Sequence, residues 1–202
     1  MKKFIVWTIV LVMAFSLMAC SNGGEVQPSS DPERIQQSAS PTPTAEPAPS
    51  PDLGDTTATQ VFENTEHGFA INYPADWTET ALEPAVFTAV APIKDGFYAN
   101  VNIVIDPNAT SLDSMTKEML EQEYSLAGLD ANVVDVFELQ IAGQPCKMIS
   151  TVVTQAEISL FLEQYAVVYG GKMFIITNTC LDGDTSNRQA FDDIIASLRF
   201  LD

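Results

Sequence analysis

The sequence predicts an α+β fold in which helices pack on a largely antiparallel sheet, and two patterns support this prediction. Within residues 61–202, several runs alternate apolar and polar residues, as half-buried strands do. Near 111–127 and 186–198, apolar residues recur instead at every third or fourth position, as on an amphipathic helix. The order strands, helix, strands, helix is typical of α+β proteins.

The first predicted strand of this domain lies in the stretch 68–77. Phe69, Ile71 and Tyr73 alternate with small or polar residues. Pro74 has no N–H to donate to a β-ladder, so we expect the strand to end there.

A hairpin follows, made of strands at 86–90 and 97–105 and a turn at 94–96 that contains Asp-Gly. In its second strand the apolar odd positions alternate with polar residues such as Asn100 and Asn102. This alternation predicts a strand with one buried and one exposed face.

The first helix is predicted from Ser111 to Ala127. Thr110 or Ser111 can cap its start, and Gly128 suits the left-handed conformation beyond its end. Its predicted apolar stripe consists of Leu112, Met115, Met119 and Leu126, with Leu120 and Tyr124 beside it.

Four strands and a second helix complete the domain. The helix is predicted from Ser186 to Leu198, and Ser186 with Gln189 is expected to form a capping box. The strands are predicted at 133–141, 146–154, 158–169 and 172–180, with turns at Gly143, near Ala156 and at Gly170-Gly171. The predicted buried stripe of the second helix is Phe191, Ile194, Ile195 and Leu198.

Two cysteines lie in these strands. If the strands pair in sequence, Cys146 lies opposite Ala166 and Ala166 lies opposite Ile175, which leaves Cys180 about 16 Å along and about 10 Å across from Cys146. A disulfide needs Cα atoms within about 7 Å. We therefore expect two free thiols that serve as small buried apolar groups rather than as nucleophiles.

The N-terminal residues 1–19 are typical of an export signal. A positive start at 1–3 precedes a mostly apolar stretch at 4–19, which is shorter than the roughly 20 residues that span a bilayer. Positions 17–20 read Leu-Met-Ala-Cys and resemble the bacterial lipobox. The resemblance implies a diacylated Cys20 that anchors an extracytoplasmic protein to the bacterial cell membrane. The alternative is an ordinary secreted protein.

Residues 20–60 are predicted to form a linker that begins with the lipidated Cys20. Residues 21–60 contain seven of the 12 prolines and no aromatic residue. Such a segment buries too little apolar surface to offset the entropy of ordering the chain, so we expect it to be disordered. The folded domain is then 61–202.

The net charge is −18, from 27 acidic and nine basic residues. This acidity argues against binding nucleic acid and favours a soluble monomer. Binding of cations, or docking on a basic partner, is the alternative.

Four segments together suggest a family. The stretch 68–77, the turn at Gly143 and the segments 170–177 and 191–200 are similar in order and spacing to the PsbP-like superfamily over about residues 62–201. The resemblance implies an α/β/α sandwich around a central antiparallel sheet. It also implies a domain that acts by docking on partners, with no catalytic motif to carry over.

One acidic group has the spacing of a calcium loop. Asp182, Asp184, Ser186 and Asp193 occupy positions one, three, five and twelve of an EF-hand-like pattern. Asn187 stands where that loop needs glycine, and Asp193 where it needs a longer glutamate. A strand-to-helix turn with acidic residues near a helix N-terminus is the alternative interpretation.

The sequence favours a non-catalytic interaction module that docks on an envelope protein, with no cofactor and no catalytic residue. It contains no nucleophile elbow, phosphate-binding loop or zinc-protease motif, and its one histidine, His67, is expected to be a solvated loop residue. Two alternatives are a carrier of a small molecule or ion, with its pocket between the sheet and helix 111–127, and a hydrolase built on a carboxylate pair.

Cys20→Ala should leave unprocessed precursor, because it removes the residue that the lipobox resemblance makes the site of acylation. Labelling with a fatty-acid probe followed by electrophoresis measures both processing and acylation. A wild-type protein that is cleaved normally but carries no lipid would contradict the prediction.

Overall fold

The computed structural model describes residues 58–155 and 157–201, so the leader, Cys20 and the linker lie outside the described residues. The described part contains ten strands and two helices. In chain order they are β1 Thr59–Asn64, β2 Phe69–Pro74, β3 Thr78–Glu79, β4 Phe87–Val90, β5 Asn100–Asp106, α1 Lys117–Leu126, β6 Asp130–Ile141, β7 Gln144–Gln155, β8 Ile158–Tyr169, β9 Lys172–Leu181, α2 Arg188–Ala196 and β10 Arg199–Phe200.

The strands form two antiparallel sheets. The larger has seven strands in the order β3-β4-β5-β9-β8-β7-β6, and the smaller has three in the order β1-β2-β10. Each pairing in both sheets is antiparallel. The predicted α+β class is confirmed.

The seven-stranded sheet is the middle layer. Successive residues of a strand point to opposite faces, so Tyr165 and Val167 of β8 enter one core and Leu162 and Ala166 enter the other. The first core also holds the buried residues of α2 and of the three-stranded sheet. The second core holds those of α1. The two helices therefore cover opposite faces of the sheet.

The predicted turns at 94–96, 143 and 170–171 are confirmed by their backbone geometry, whereas Ala156 lies outside the described residues. Asp95 and Gly96 both have positive φ, 51° and 77°, and Lys94 and Phe97 exchange two backbone hydrogen bonds of 3.0 and 2.9 Å. This is the two-residue turn whose twist matches that of the flanking strands. Positive φ also occurs at Gly143, and at both residues of the turn at 170–171.

The stretch 68–77 joins the small sheet to α2. Strand β2 ends at Pro74, as predicted, and its apolar residues lie in the first core. The ring of Trp77 meets that of Phe191 edge-on at 5.6 Å between centroids. The Asn72 backbone N–H donates to the hydroxyl of Ser197, just beyond α2, at 2.8 Å.

Strand β5 corrects the prediction of a half-buried strand. Asn100 and Asn102 are only 5% and 2% exposed, so both of its faces are buried. The reason is topological: β5 pairs with β4 and β9 in the interior of the sheet, where a middle layer is covered on both sides.

Helix α1 begins six residues later than predicted, at Lys117. Thr116 is its N-cap and accepts from the Met119 backbone N–H at 3.4 Å, so the predicted caps at Thr110 or Ser111 are wrong. The buried residues of the helix are Leu120 and Tyr124. Met119 and Leu126 of the predicted stripe are instead 38% and 75% exposed, and Leu112 and Met115 precede the helix.

Gly128 ends α1 as predicted. Its φ is +74°, and the Leu129 N–H donates to the Tyr124 carbonyl at 3.0 Å. This backbone bond satisfies a carbonyl that the end of the helix would leave unpaired.

Helix α2 has the predicted buried face but a different start. Its N-cap is Asn187, whose side chain makes no capping bond. Ser186 donates instead to Asp184, and Gln189 donates to Asp193 at 2.8 Å, so the predicted capping box is wrong. The four residues of the predicted stripe are all buried: Phe191, Ile194, Ile195 and Leu198.

Phe174→Ala should reduce the free energy of unfolding by about 3–5 kcal/mol, because it empties a fully buried site. The Phe174 ring is 0% exposed and lies 5.7 Å from the ring of Phe69 and 5.1 Å from that of Phe200. Urea unfolding followed by tryptophan fluorescence measures the loss.

The matched control is Phe137→Ala, because Phe137 is 48% exposed. This substitution should cost less than about 1 kcal/mol. Equal losses from the two variants would contradict the assignment of Phe174 to the core.

Candidate functional site

A cavity of about 40 Å³ lies where β8 and β9 face α2, and we call it the α2 cavity. Its wall contains three carboxylates, one guanidinium, one amide, one thiol and two phenyl rings. The residues that line it are Phe161, Glu163, Asn178, Cys180, Asp184, Thr185, Arg188, Phe191 and Asp192.

The register of the sheet and one turn assemble this wall. Glu163 of β8 lies directly opposite Asn178 of β9, so both side chains point to the face that α2 covers. After β9 the chain turns at Gly183, whose φ is +82°, and enters α2. That turn returns Asp184 and Arg188 to the same cavity.

Asn178 is the least satisfied polar group of the cavity. It is 2% exposed, and neither Nδ2 nor Oδ1 has a hydrogen-bond partner in the protein. A buried amide left unpaired costs about 1–3 kcal/mol. Packing alone would favour an apolar residue here, since Ile176 and Cys180 on the same face of β9 lie in the core.

The carboxylates around Asn178 have different partners. Glu163 accepts a hydrogen bond from the Tyr165 hydroxyl. Asp184 accepts from the Ser186 backbone N–H at 2.9 Å and from its hydroxyl at 3.0 Å, and lies 3.1 Å from Lys94 Nζ. The hydrogen bonds from Ser186, followed by Lys94, lower the pKa of Asp184.

A second surface lies along the outer strand of the large sheet, and we call it the β6 edge. Strand β6 has 12 residues and ends the strand order, and its Val134 and Phe137 are 49% and 48% exposed. Two open grooves, of about 410 and 340 Å³, share Leu139 and Gln140 as lining residues. The β6 edge is therefore an extended and partly apolar surface.

Comparison with known proteins places this geometry in a recognised fold. No family model matches the sequence, and no curated protein matches it. Among solved structures, cyanobacterial PsbP (CyanoP) from Synechocystis sp. PCC 6803 is similar with a TM-score of 0.55 and 13% identity, over 76% of this chain and 98% of that one. The domain has a fold similar to that of this PsbP protein.

Two other solved structures are similar at lower scores. A Pseudomonas aeruginosa protein of unknown function, PA94, described as a putative regulator, has a TM-score of 0.48 at 13% identity, over 69% of this chain and 94% of that one. LpqN, involved in cell envelope biogenesis of Mycobacterium tuberculosis, has a TM-score of 0.46 at 14% identity, over 74% of this chain and 88% of that one.

The two cysteines of the described domain are free and buried, as predicted. Cys146 lies opposite Val167 rather than Ala166, because the turn after β7 pairs Gln155 with Ile158 and shifts the register by one residue. Burial raises the pKa of Cys146 to about 12. Burial, and then the negative charges of Asp184 and Glu163, raise the pKa of Cys180 to about 11.

The calcium candidates Asp182, Asp184 and Asp193 are not brought together. Asp184 binds Ser186 and Lys94, whereas Asp193 accepts from Gln189 on the surface of α2. Within 58–155 and 157–201, no group of three His, Cys, Asp or Glu side chains could hold a metal ion.

The α2 cavity also lies elsewhere than the predicted pocket, which was expected beside the helix 111–127. On that side of the sheet the Tyr124 hydroxyl donates to Gln164 Oε1 at 3.1 Å, and Gln164 Nε2 donates to Thr177 at 3.2 Å. Burial raises the pKa of Tyr124 to about 12. None of the helices in the described part of the chain is long and apolar enough to span a membrane.

Sequence reasoning missed Glu163 and Asn178 as a pair because they are fifteen positions apart and only the register joins them. One signal was present. In β9 the even positions Phe174, Ile176 and Cys180 are apolar, and Asn178 interrupts them. A polar residue on an otherwise apolar strand face indicates a buried polar site.

Alkylation of the two thiols should be slow in the folded full chain, because the thiolate is the reactive form. At pH 8, raising the pKa from 9.0 to about 11 reduces the thiolate fraction of Cys180 about 100-fold, and raising it to about 12 reduces that of Cys146 about 1,000-fold. Iodoacetamide labelling followed by peptide mass spectrometry measures each rate.

The control is the same chain unfolded in urea, where both thiols should react as ordinary cysteines. A native rate within about tenfold of the unfolded rate, for either thiol, would contradict the assigned burial.

Proposed function

We propose that this chain is a cell-surface lipoprotein whose PsbP-like domain is a non-catalytic interaction module that docks on an envelope protein. The observation that supports it best is the β6 edge. The outer side of a terminal strand carries main-chain N–H and C=O groups that an extended segment of another protein can pair with.

The length of β6 favours it as the docking strand. It has 12 residues, whereas β3, at the other end of the same sheet, has two. The Val134 carbonyl already accepts from Lys117 at 3.4 Å, and the Val136 N–H donates to Asp135 at 2.8 Å. The rest of the 12-residue edge can still pair with a segment long enough to give several backbone hydrogen bonds.

The exposed side chains of β6 add an apolar contact. Val134 and Phe137 are about half exposed, and they lie on either side of Asp135. Aromatic residues, including Phe, are enriched in protein interfaces relative to the rest of the surface. The partner segment should therefore contribute apolar side chains here.

The charge of β6 indicates the sign of the charge that its partner should carry. The strand contains Asp130, Asp135 and Glu138 and no basic residue. Lys147 on β7 lies 3.7 Å from Glu138 and offsets one of these charges. Electrostatic complementarity then favours an extended segment with basic as well as apolar residues.

A β-bulge favours the expected monomer. The pairing of β6 with β7 shifts register between Val133 and Asp135. Bulges and charged residues on an edge discourage pairing of identical strands from two copies. The β6 edge is thus suited to a specific partner better than to a second copy of this chain.

The chemistry of the described residues supports a non-catalytic role. Cys146 and Cys180 are buried with raised pKa values, so neither is an activated nucleophile. The one histidine, His67, follows β1 in a turn, and its backbone N–H donates to Asn64.

A photo-crosslinking residue in place of Val134 should join the membrane-anchored full chain to one dominant envelope protein in living cells. Mass spectrometry of the product identifies that protein. Adding Phe137→Asp should reduce the yield at least about tenfold, because it places a charge where the partner contributes apolar contact.

The matched control places the same crosslinker at Val61, which is 58% exposed on β1 in the other sheet. A product of equal yield from Val61, or one unaffected by Phe137→Asp, would contradict docking at the β6 edge. Loss of the product in Cys20→Ala would show that docking needs the anchor, and its persistence would refute that requirement.

A further inference from the structure

The amide of Asn178 points to a ligand in the α2 cavity. It is 2% exposed, and both of its polar atoms lack partners in the protein. An amide presents one acceptor, Oδ1, and one donor group, Nδ2, side by side. A ligand that satisfies it therefore needs a donor and an acceptor close together.

The charge of the cavity indicates that the donor is cationic. Glu163, Asp184 and Asp192 line it against one basic residue, Arg188. The carboxylate of Asp184 is paired with Lys94 at 3.1 Å, which leaves one negative charge in excess. After burial, which is the largest cause, Asp184 and Glu163 raise the pKa of Cys180, as expected in a negative field.

The size and the walls of the cavity restrict the cation further. A volume of about 40 Å³ holds about three groups the size of a water molecule, so a chain of three or four non-hydrogen atoms fits it. The phenyl rings of Phe161 and Phe191 line it, and aromatic walls suit the carbon atoms and the charge of an organic cation. Although four lining residues carry carboxylate or thiol groups, no three His, Cys, Asp or Glu side chains in the described part of the chain are placed so that they could hold a metal ion.

We propose that the α2 cavity binds the 2-aminoethoxy group, a primary ammonium with an oxygen two carbons away. The ammonium donates to Asn178 Oδ1 and to the carboxylates of Glu163 and Asp192. The ligand oxygen accepts from Asn178 Nδ2. Free ethanolamine and an ethanolamine phosphodiester head group both carry this chemistry.

Nuclear magnetic resonance of the isotopically labelled full chain in neutral detergent tests this site. The side-chain amide signal of Asn178, assigned by its disappearance in Asn178→Val, should shift saturably as ethanolamine is added at constant ionic strength. n-Propylammonium, which lacks the oxygen, should bind about threefold to tenfold more weakly. 1-Propanol, which lacks the charge, should produce no saturable shift.

Asp192→Asn should weaken ethanolamine binding about twofold to fivefold, because it removes one carboxylate from a solvent-exposed helix position without changing shape. Asp193→Asn is the matched control, because the Asp193 carboxylate accepts from Gln189 and does not line the cavity. It should leave ethanolamine binding unchanged.

Several outcomes would overturn the proposal: no saturable shift at tens of millimolar ethanolamine, equal binding of 1-propanol, or equal weakening by Asp192→Asn and Asp193→Asn. Equal binding of n-propylammonium and ethanolamine would overturn the role of the oxygen. Glycerophosphoethanolamine distinguishes the two sources of the 2-aminoethoxy group. If it binds, the ligand can be a phosphodiester head group; if it does not bind, the ligand is free ethanolamine. The α2 cavity shares Asp192 with the 340 Å³ groove at the β6 edge, but neither Val134 nor Phe137 lines the cavity, so failure of ethanolamine binding leaves the docking proposal intact.

Discussion

The register between β8 and β9 is the constraint on which the domain depends. Both strands are covered on both faces, so each residue is committed to one of two cores. If one strand slipped by one residue, all of its side chains would move to the opposite face. A slip of β8 would move Glu163 out of the α2 cavity and bring Gln164 into it, and a slip of β9 would move Asn178 out. The tight turn at 170–171 sets the register of β8 and β9, and it therefore determines which side chains line the α2 cavity.

The two candidate sites place different demands on the same sheet. The α2 cavity is small and combines charged groups with a mostly apolar wall, and it lies over interior strands whose positions are fixed by neighbours on both sides. The β6 edge is long, and its outer side has no strand neighbour in the described part of the chain. Strand β7 separates it from β8. A cavity over interior strands suits the binding of a small chemical group. An edge strand, which is paired on one side only, suits the binding of an extended peptide segment.

Features that depend on residues close together in the sequence could be predicted, and features that depend on residues far apart could not. Seven strands and the glycine-containing turns were predicted from local patterns and were confirmed, whereas β1 and the two-residue strands β3 and β10 were not predicted. The start of α1 was wrong because side chains before it compete with the helix for backbone groups: Asp106 accepts from the Asn108 N–H at 2.8 Å, and Ser111 accepts from the Asp113 N–H at 3.1 Å. The α2 cavity depends on pairing across strands and on a turn into α2, which no local pattern specifies.

The position of the small sheet also determines where the chain before Thr59 enters the domain relative to β6. Strand β1 packs over the β4 side of the large sheet, where the rings of Phe62 and Phe87 lie 4.6 Å apart. Five strand spacings, about 24 Å, separate β4 from β6. The chain that leads into Thr59 thus joins the molecule at the opposite margin from β6. An extended segment that paired with β6 would therefore lie far from the residues around Thr59 and would not collide with the chain that precedes them.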